Sequence, residues 1–299
     1  MSLVFNKLGK QYMVFNSVSE FNCFLDSPHS KAQLLVETEV SRLQHAFEQP
    51  MHPASGAQGG DNLKPQVVGY CAVCKQASPM TISSKWGIET LLNFREWLVC
   101  KTCGLNNRQR LMMAFMLDMF EDDTKIYIQE QITFFYKALI KRFANSTGSE
   151  FIGDSAVPGA VINSVRHEDC MNLSFGDASF DAVVSQDVFE HIPDIHRGLS
   201  EIYRVLLPNG YLVFTMPFHN KNPYIYRRSS MDGHVITHHM EPEYHGNPLS
   251  EAGSLVFYDF GIDFFDIILQ TGFRSVHIIC SDDFSVGHYG RPSLFLAIK

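Results

Sequence analysis

Positive charge is in short supply: 24 Lys and Arg stand against 32 Asp and Glu, a formal net charge of −8 at pH 7. Nucleic-acid binders carry a basic surface to neutralise phosphates. A nucleic-acid partner is therefore not expected, and a small-molecule or protein partner fits better. Long apolar runs are missing as well. No stretch approaches the roughly 18 uninterrupted apolar residues that would suggest a spanning helix, and no basic-then-apolar leader opens the chain. A cytoplasmic protein without a membrane partner is the expectation. No internal repeat is present. Seven cysteines make an odd number, and four of them fall in two CxxC pairs, a usage that suggests metal thiolates in a reducing compartment more than disulfides. Cys23, Cys170 and Cys280 read as packed thiols.

What is present suffices for one α/β domain and a smaller module. Residues 1–65 hold a helical stripe between Lys31 and Phe47, followed from Gln49 to Pro65 by a linker rich in Pro, Gly and polar residues. A zinc-binding module is expected over residues 66–115. Its signature is Cys71-Ala-Val-Cys74 and, 25 residues on, Cys100-Lys-Thr-Cys103. Two such knuckles can close a tetrahedral Cys₄ zinc site, and four protein ligands leave no position for water, so the role would be structural. A pair of redox dithiols is the alternative. The insert would form a hairpin through Thr81–Ser84 and Phe94–Val99, and a helix is expected from Leu111 to Phe120. Arg95, Arg108 and Arg110 form a small basic group, read as a solvated helix face or as a contact for an anionic acceptor.

Residues 178–218, ASFDAVVSQDVFEHIPDIHRGLSEIYRVLLPNGYLVFTMPF, read as strand, loop, helix, turn, strand. Phe180–Ser185 is a short β-branched run, Leu199, Ile202, Tyr203 and Leu206 recur at helical steps, and Pro208-Asn209-Gly210 turns the chain into a strand from Tyr211 to Thr215. This is a right-handed βαβ unit of a parallel sheet, whose ligands bind beyond the carboxyl ends of the strands. A first strand is expected at Lys125–Glu130, a helix at Phe134–Phe143, a late helix at Tyr258–Thr271, and closing strands at Phe273–Cys280 and Ser293–Ile298.

The patterns FDxVxSxDVxEHIxD and LxExxRVLxPxGxLxFTxPF in this stretch resemble class I S-adenosylmethionine-dependent methyltransferases of the "type 11" branch. The resemblance implies, over residues 116–299, an α/β Rossmann-like seven-stranded, mostly parallel sheet with an antiparallel C-terminal hairpin. It also implies S-adenosylmethionine as cofactor. One departure stands out: the loop after the first strand reads Glu130-Gln131-Ile132-Thr133-Phe134-Phe135, without the glycines that normally permit close backbone approach to the cofactor. Glu130, Gln131 and Thr133 would then make polar contacts to the methionyl part. Glu150, with Asp154 as competitor, would take the ribose hydroxyls; Asp169 the adenine amino group, with Cys170 and Met171 against the ring; Gln186 and Asp187 would lie near the sulfonium. The catalytic residue is undetermined, with His191, His219 and His245 as candidates. Residues Phe218–Pro248, rich in His and Tyr, would receive a small-molecule acceptor such as a sugar or metabolite. Alternatively, His238, His239 and Glu241 with Glu243 and His245 could make a second metal site. The competing function is a non-catalytic methyltransferase fold that lost turnover with its glycines and whose ribbon contacts a partner.

Overall fold

β-branched and aromatic runs flanked by turn residues set the strands, and periodic Leu, Ile and Phe set the helices between them. The computed structural model describes residues 12–26, 66–82, 94–281 and 283–299; the helix foreseen at 31–47 and the linker at 49–65 lie outside them. In chain order, β1 (Met13–Phe15) and α1 (Val18–Asp26) precede β2 (Gln66–Cys71), β3 (Gln76–Ile82), a one-turn α2 (Phe94–Trp97), β4 (Leu98–Cys100) and α3 (Asn107–Met119). Then come β5 (Ile126–Ile128), α4 (Phe134–Leu139), β6 (Ser146–Gly148), β7 (Val161–Ile162), β8 (Val165–Arg166), β9 (Phe180–Gln186), a 3₁₀ turn at Phe189–His191, α5 (Ile195–Val205) and β10 (Leu206–Thr215). β11 (Tyr226–Arg227), β12 (Ser229–Asp232), β13 (Val235–His238), β14 (Tyr244–Asn247), β15 (Ser250–Leu255) and β16 (Tyr258–Asp259) follow. The chain ends with α6 (Phe264–Thr271), β17 (Ser275–Cys280), a 3₁₀ turn at Phe284–Val286 and β18 (Ser293–Ile298).

The residues group into two compact units, each assembled from separated stretches. One takes the described parts of Met1–Val14, Leu25–Phe120 and Ile279–Ser293; the other takes Phe15–Phe24, Glu121–Ile278 and Leu294–Lys299.

A seven-stranded sheet of order β1-β17-β18-β10-β9-β5-β6 carries the parallel strands of the second unit. β6, β5, β9 and β10 run parallel, and β18 closes antiparallel on β10. The expected seven-stranded, mostly parallel architecture is thus present. Its seventh strand, however, is β1 from the N-terminal segment and not a strand between residues 116 and 299. Ala182, Val183, Val184 and Ser185 are fully buried, the pattern of a strand covered on both faces.

Asp194 caps α5 by accepting the Arg197 N–H at 3.2 Å. The helix buries Ile195, Gly198, Leu199, Ile202 and Val205, a stripe shifted slightly from the one the sequence suggested. Pro208-Asn209-Gly210 interrupts β10 instead of preceding it: Leu206 pairs with Phe180, and after a register shift Tyr211 pairs with Ala182. Asn209 there has φ 64. The predicted late helix is shorter, because Tyr258–Asp259 pairs with Tyr226–Arg227 as a two-stranded ladder. The long segment after β10 is two hairpins, β12–β13 and β14–β15.

The first unit centres on the antiparallel β2-β3-β4 sheet. Lys75 (φ 55) and Gly104 (φ 74) take the left-handed conformation just after each CxxC pair. They close the knuckles through Lys75 N–H to Cys71 O at 2.7 Å and Gly104 N–H to Cys100 O at 2.8 Å. The helix after the second knuckle begins at Asn107, four residues before the expected Leu111, because Asn106 and Gln109 form a reciprocal capping box.

Candidate functional site

The four knuckle sulfurs converge. Cys71 and Cys103 Sγ are 3.9 Å apart, as are Cys74 and Cys100 Sγ, and all four lie within 4.8 Å of one another. A tetrahedron of zinc–sulfur bonds near 2.3 Å has edges of about 3.8 Å, so the donor set fits such an ion. Crowding splits the thiols: the hydrogen bond from Cys103 lowers Cys71 to about 5, while burial raises Cys74 to about 12. Met80 and Leu98 pack beside the sulfurs, with Phe94 and Tyr289 at the edge of the cluster.

The arginine group is not a solvated face. Arg110 is 0 % exposed. Its Nη1 donates to Leu98 O at 2.7 Å and Leu105 O at 3.3 Å, and its Nη2 donates to Gly287 O at 2.8 Å and Asn107 Oδ1 at 3.2 Å. Burial depresses its pKa, opposed by negative charge on Cys71, Cys100 and Cys103. Arg108 and Arg95 both pair with Glu96. None of the three is a ready contact for an anionic acceptor.

In the α/β unit, the carboxyl ends of β5, β6 and β9 bring the predicted donor residues together. Glu130 and Gln186 are hydrogen-bonded through their side chains. Glu150 Oε1 accepts the N–H groups of Gln131 at 2.7 Å and Ile132 at 3.0 Å. A carboxylate therefore fastens the glycine-free loop. The Gln131 side chain accepts the Arg166 N–H at 2.7 Å and donates to Ser164 O at 3.2 Å. Thr133 Oγ1 caps α4 by accepting the Tyr136 N–H at 3.0 Å. The third predicted stretch connects through Gln129, which the sequence reading overlooked: its Nε2 donates to Cys170 Sγ at 2.9 Å. Asp169 Oδ1 accepts the Met171 N–H at 2.8 Å in a tight turn. Burial raises Cys170 to about 12, which keeps it a thiol. Asp187 takes φ 51 at the end of β9, and Asp154 lies apart, 3.9 Å from the exposed His234.

The candidate histidines separate. The His219 N–H donates to Phe260 O at 3.0 Å. His238 and His239 bond Ser229 and Ser230 at 2.9 Å each, and they join no cluster of potential metal ligands among the described residues. His191 and His245 instead meet edge to face, 5.1 Å between ring centres, beside the buried Glu190. That carboxylate raises the pKa of His245. Nothing in the sequence marks Glu190 and His245 as neighbours, since they come together through the β14–β15 hairpin.

In an open parallel sheet the crevice beyond the carboxyl ends of the strands is where ligands bind, and these acids and amides gather there. Residues 140–214 match the family described as "Methyltransferase domain". Among curated relatives, a demethylmenaquinone methyltransferase of Bacteroides fragilis is 46% identical over 50 residues, covering 17% of this chain and 20% of its own length. A demethylmenaquinone methyltransferase of Deinococcus radiodurans is 40% identical over 76 residues, covering 21% and 32%. The chain thus spans a fifth to a third of these relatives. A solved S-adenosylmethionine-dependent methyltransferase of Mesorhizobium loti is 14% identical with TM-score 0.40, covering 64% of this chain and 98% of that one. The family match thus falls on the stretch that includes β6, β9, α5 and most of β10, within the α/β unit. Among the described residues, no helix is long and apolar enough to cross a membrane.

Proposed function

We propose that the chain is an S-adenosylmethionine-dependent methyltransferase acting on a small-molecule acceptor, a sugar or metabolite, in a reducing, cytoplasmic setting. The observation that carries this reading is the convergence of Glu130, Glu150 and Gln186 at the carboxyl edge of β5, β6 and β9, inside and beside the family match at 140–214. Bound S-adenosylmethionine would supply an electrophilic methyl group on a sulfonium. Transfer from such a centre is an in-line displacement, so the protein's task is to hold the reactants aligned and take a proton where the acceptor carries one. Glu150 would use its second oxygen for the ribose hydroxyls, Asp169 would accept from the adenine amino group with Cys170 and Met171 against the ring, and Gln131 with Gln186 and Asp187 would line the methionyl side. The segment Phe218–Pro248, with Tyr224, Tyr226 and Tyr244 all exposed, would receive the acceptor.

The Cys₄ cluster would hold a structural zinc. Support comes from Arg110, a buried cation whose hydrogen-bond acceptors are neutral carbonyl and amide oxygens; a dianionic zinc tetrathiolate beside it would supply the missing counter-charge.

A second reading, a methyltransferase fold without turnover, is favoured by one observation: Glu150 Oε1 already occupies the loop N–H groups that glycine would leave open. Calorimetry separates the two. With S-adenosylmethionine and its demethylated product the enzyme reading requires saturable heat, diminished substantially by Asp169→Ala; no heat at millimolar ligand leaves only the second reading.

A further inference from the structure

Glu190 is 0 % exposed, and neither of its carboxylate oxygens has a hydrogen-bond partner. A buried carboxylate in that condition carries a large desolvation penalty unless a positive charge sits beside it. Its surroundings hold two imidazoles. His191 Nδ1 is 2.8 Å from Leu255 O, an acceptor only, so the ring proton belongs on Nδ1 and Nε2 presents its lone pair. That Nε2 is 3.7 Å from Glu190 Oε1. His245 Nε2 is 3.3 Å from Glu243 Oε1, and Glu243 is itself paired with Arg228 at 3.2 Å. The His245 proton therefore belongs on Nε2, and Nδ1 faces Glu190 Oε1 at 3.5 Å. Each ring is anchored at one nitrogen by an acceptor and offers the other inward, the outer-shell pattern of metal-ligating histidines. With these tautomers the His191 Nε2 and His245 Nδ1 lone pairs and the Glu190 carboxylate face one another.

The geometry points to a divalent transition-metal site formed by Glu190, His191 and His245, with at least one coordination position open to an oxygen or nitrogen donor from a small molecule. With metal–ligand bonds near 2.0–2.1 Å, tetrahedral ligands stand about 3.4 Å apart, close to the observed 3.5 and 3.7 Å. Two imidazoles and one carboxylate select borderline ions such as zinc, iron(II), cobalt or manganese over calcium. Backbone contacts fix the segments that carry Glu190 and His245. The Phe257 N–H donates to Glu190 O at 2.7 Å. Across the β14–β15 hairpin, Gly253 at φ +79 passes so close that a Cβ there would lie 2.4 Å from His245 O, which pins the approach of the two strands. His191 and His245 side chains keep 18% and 33% of their surface exposed, so the open position is reachable from solvent. Because metal uptake is read directly, the site stands or falls apart from the methyltransferase reading.

The test is metal stoichiometry and affinity on the full chain. Protein stripped by chelator is titrated with zinc, and separately with cobalt, whose thiolate-bound and imidazole-bound forms absorb differently. Wild type should take about two equivalents of zinc per chain, one of them at the Cys₄ cluster. Glu190→Gln and His245→Ala should keep the thiolate-type cobalt spectrum and lose the second equivalent, with binding weakened at least about 100-fold. Cys74→Ser should do the reverse. Circular dichroism of the metal-free variants verifies that each retains the fold, and Glu190→Gln, which removes only a buried charge, serves where His245→Ala does not. A single equivalent in wild type, or a second equivalent that survives both Glu190→Gln and His245→Ala, overturns the assignment.

Discussion

Replacing Arg110 by methionine keeps most of the side-chain volume and removes the guanidinium. Four acceptors lose their donor, two of them held by short bonds, Leu98 O at 2.7 Å and Gly287 O at 2.8 Å. Leu105 O and Asn107 Oδ1, at 3.3 and 3.2 Å, are held less tightly. A buried acceptor stripped of its partner costs about 1–3 kcal/mol, so the two short bonds alone amount to about 2–6 kcal/mol. The relief from no longer burying a cation offsets part of this. A loss of about 3 kcal/mol is expected, roughly a hundredfold in the folding equilibrium. Urea denaturation followed by circular dichroism measures it, and chelator competition with a coloured zinc indicator measures zinc retention in parallel. Arg110→Met should also release zinc faster, since the thiolates lose their neighbouring positive charge; Arg110→Lys should fall between. A methionine variant within about 1 kcal/mol of wild type that also retains zinc as firmly refutes the role of this arginine.

Two further outcomes are expected in the same unit. His288 is fully buried, and burial, helped by the charge of Arg110, lowers it to about 4 from an ordinary 6.5. The unfolded chain binds this proton as pH falls below 6.5 while the folded one does not. The contribution is therefore complete above 6.5 and lost on the way down to about 4, up to about 3 kcal/mol. In a nuclear magnetic resonance titration the His288 imidazole should stay neutral until near pH 4, and a midpoint near 6.5 contradicts the buried placement. Gly287→Ala places a Cβ 1.9 Å from Tyr70 O at φ +80; the left-handed conformation alone costs about 1–3 kcal/mol and the backbone clash adds to it. Gly246→Ala, which meets nothing within 4 Å, should stay within about 0.5 kcal/mol in the same thermal melts.

Local pattern made much of the fold legible. Phe180–Ser185 and the Leu199–Ile202 spacing announce their elements because both faces of β9 and one face of α5 are buried. The CxxC spacing places four sulfurs that do meet. The break at Pro208-Asn209-Gly210 was visible, but its location inside β10 depends on Leu206 finding Phe180 across the sheet, which no local signal encodes. The missing glycines were equally visible, whereas the capture of the Gln131 and Ile132 N–H groups by Glu150 depends on how two strand ends converge. Arg110 misled because a basic helix residue is ordinarily solvated; its acceptor Gly287 comes from the far end of the chain. Glu190 sits in a recognisable Glu-His pair, yet its burial and its meeting with His245 arise only when the β14–β15 hairpin folds back.

The clustering of Ile279–Ser293 with the Cys₄ module has a consequence for synthesis on the ribosome. The four thiols emerge early and could capture an ion at once. The carbonyl that Arg110 needs at Gly287 is 177 residues downstream, and Asn107 waits for Tyr289 at a separation of 182. Until Gly287 and Tyr289 have been made, Arg110 and Asn107 beside the nascent knuckles keep unfilled donors. The ribbon, though its thiols are translated well before Gly287, is completed only once that downstream segment has joined it.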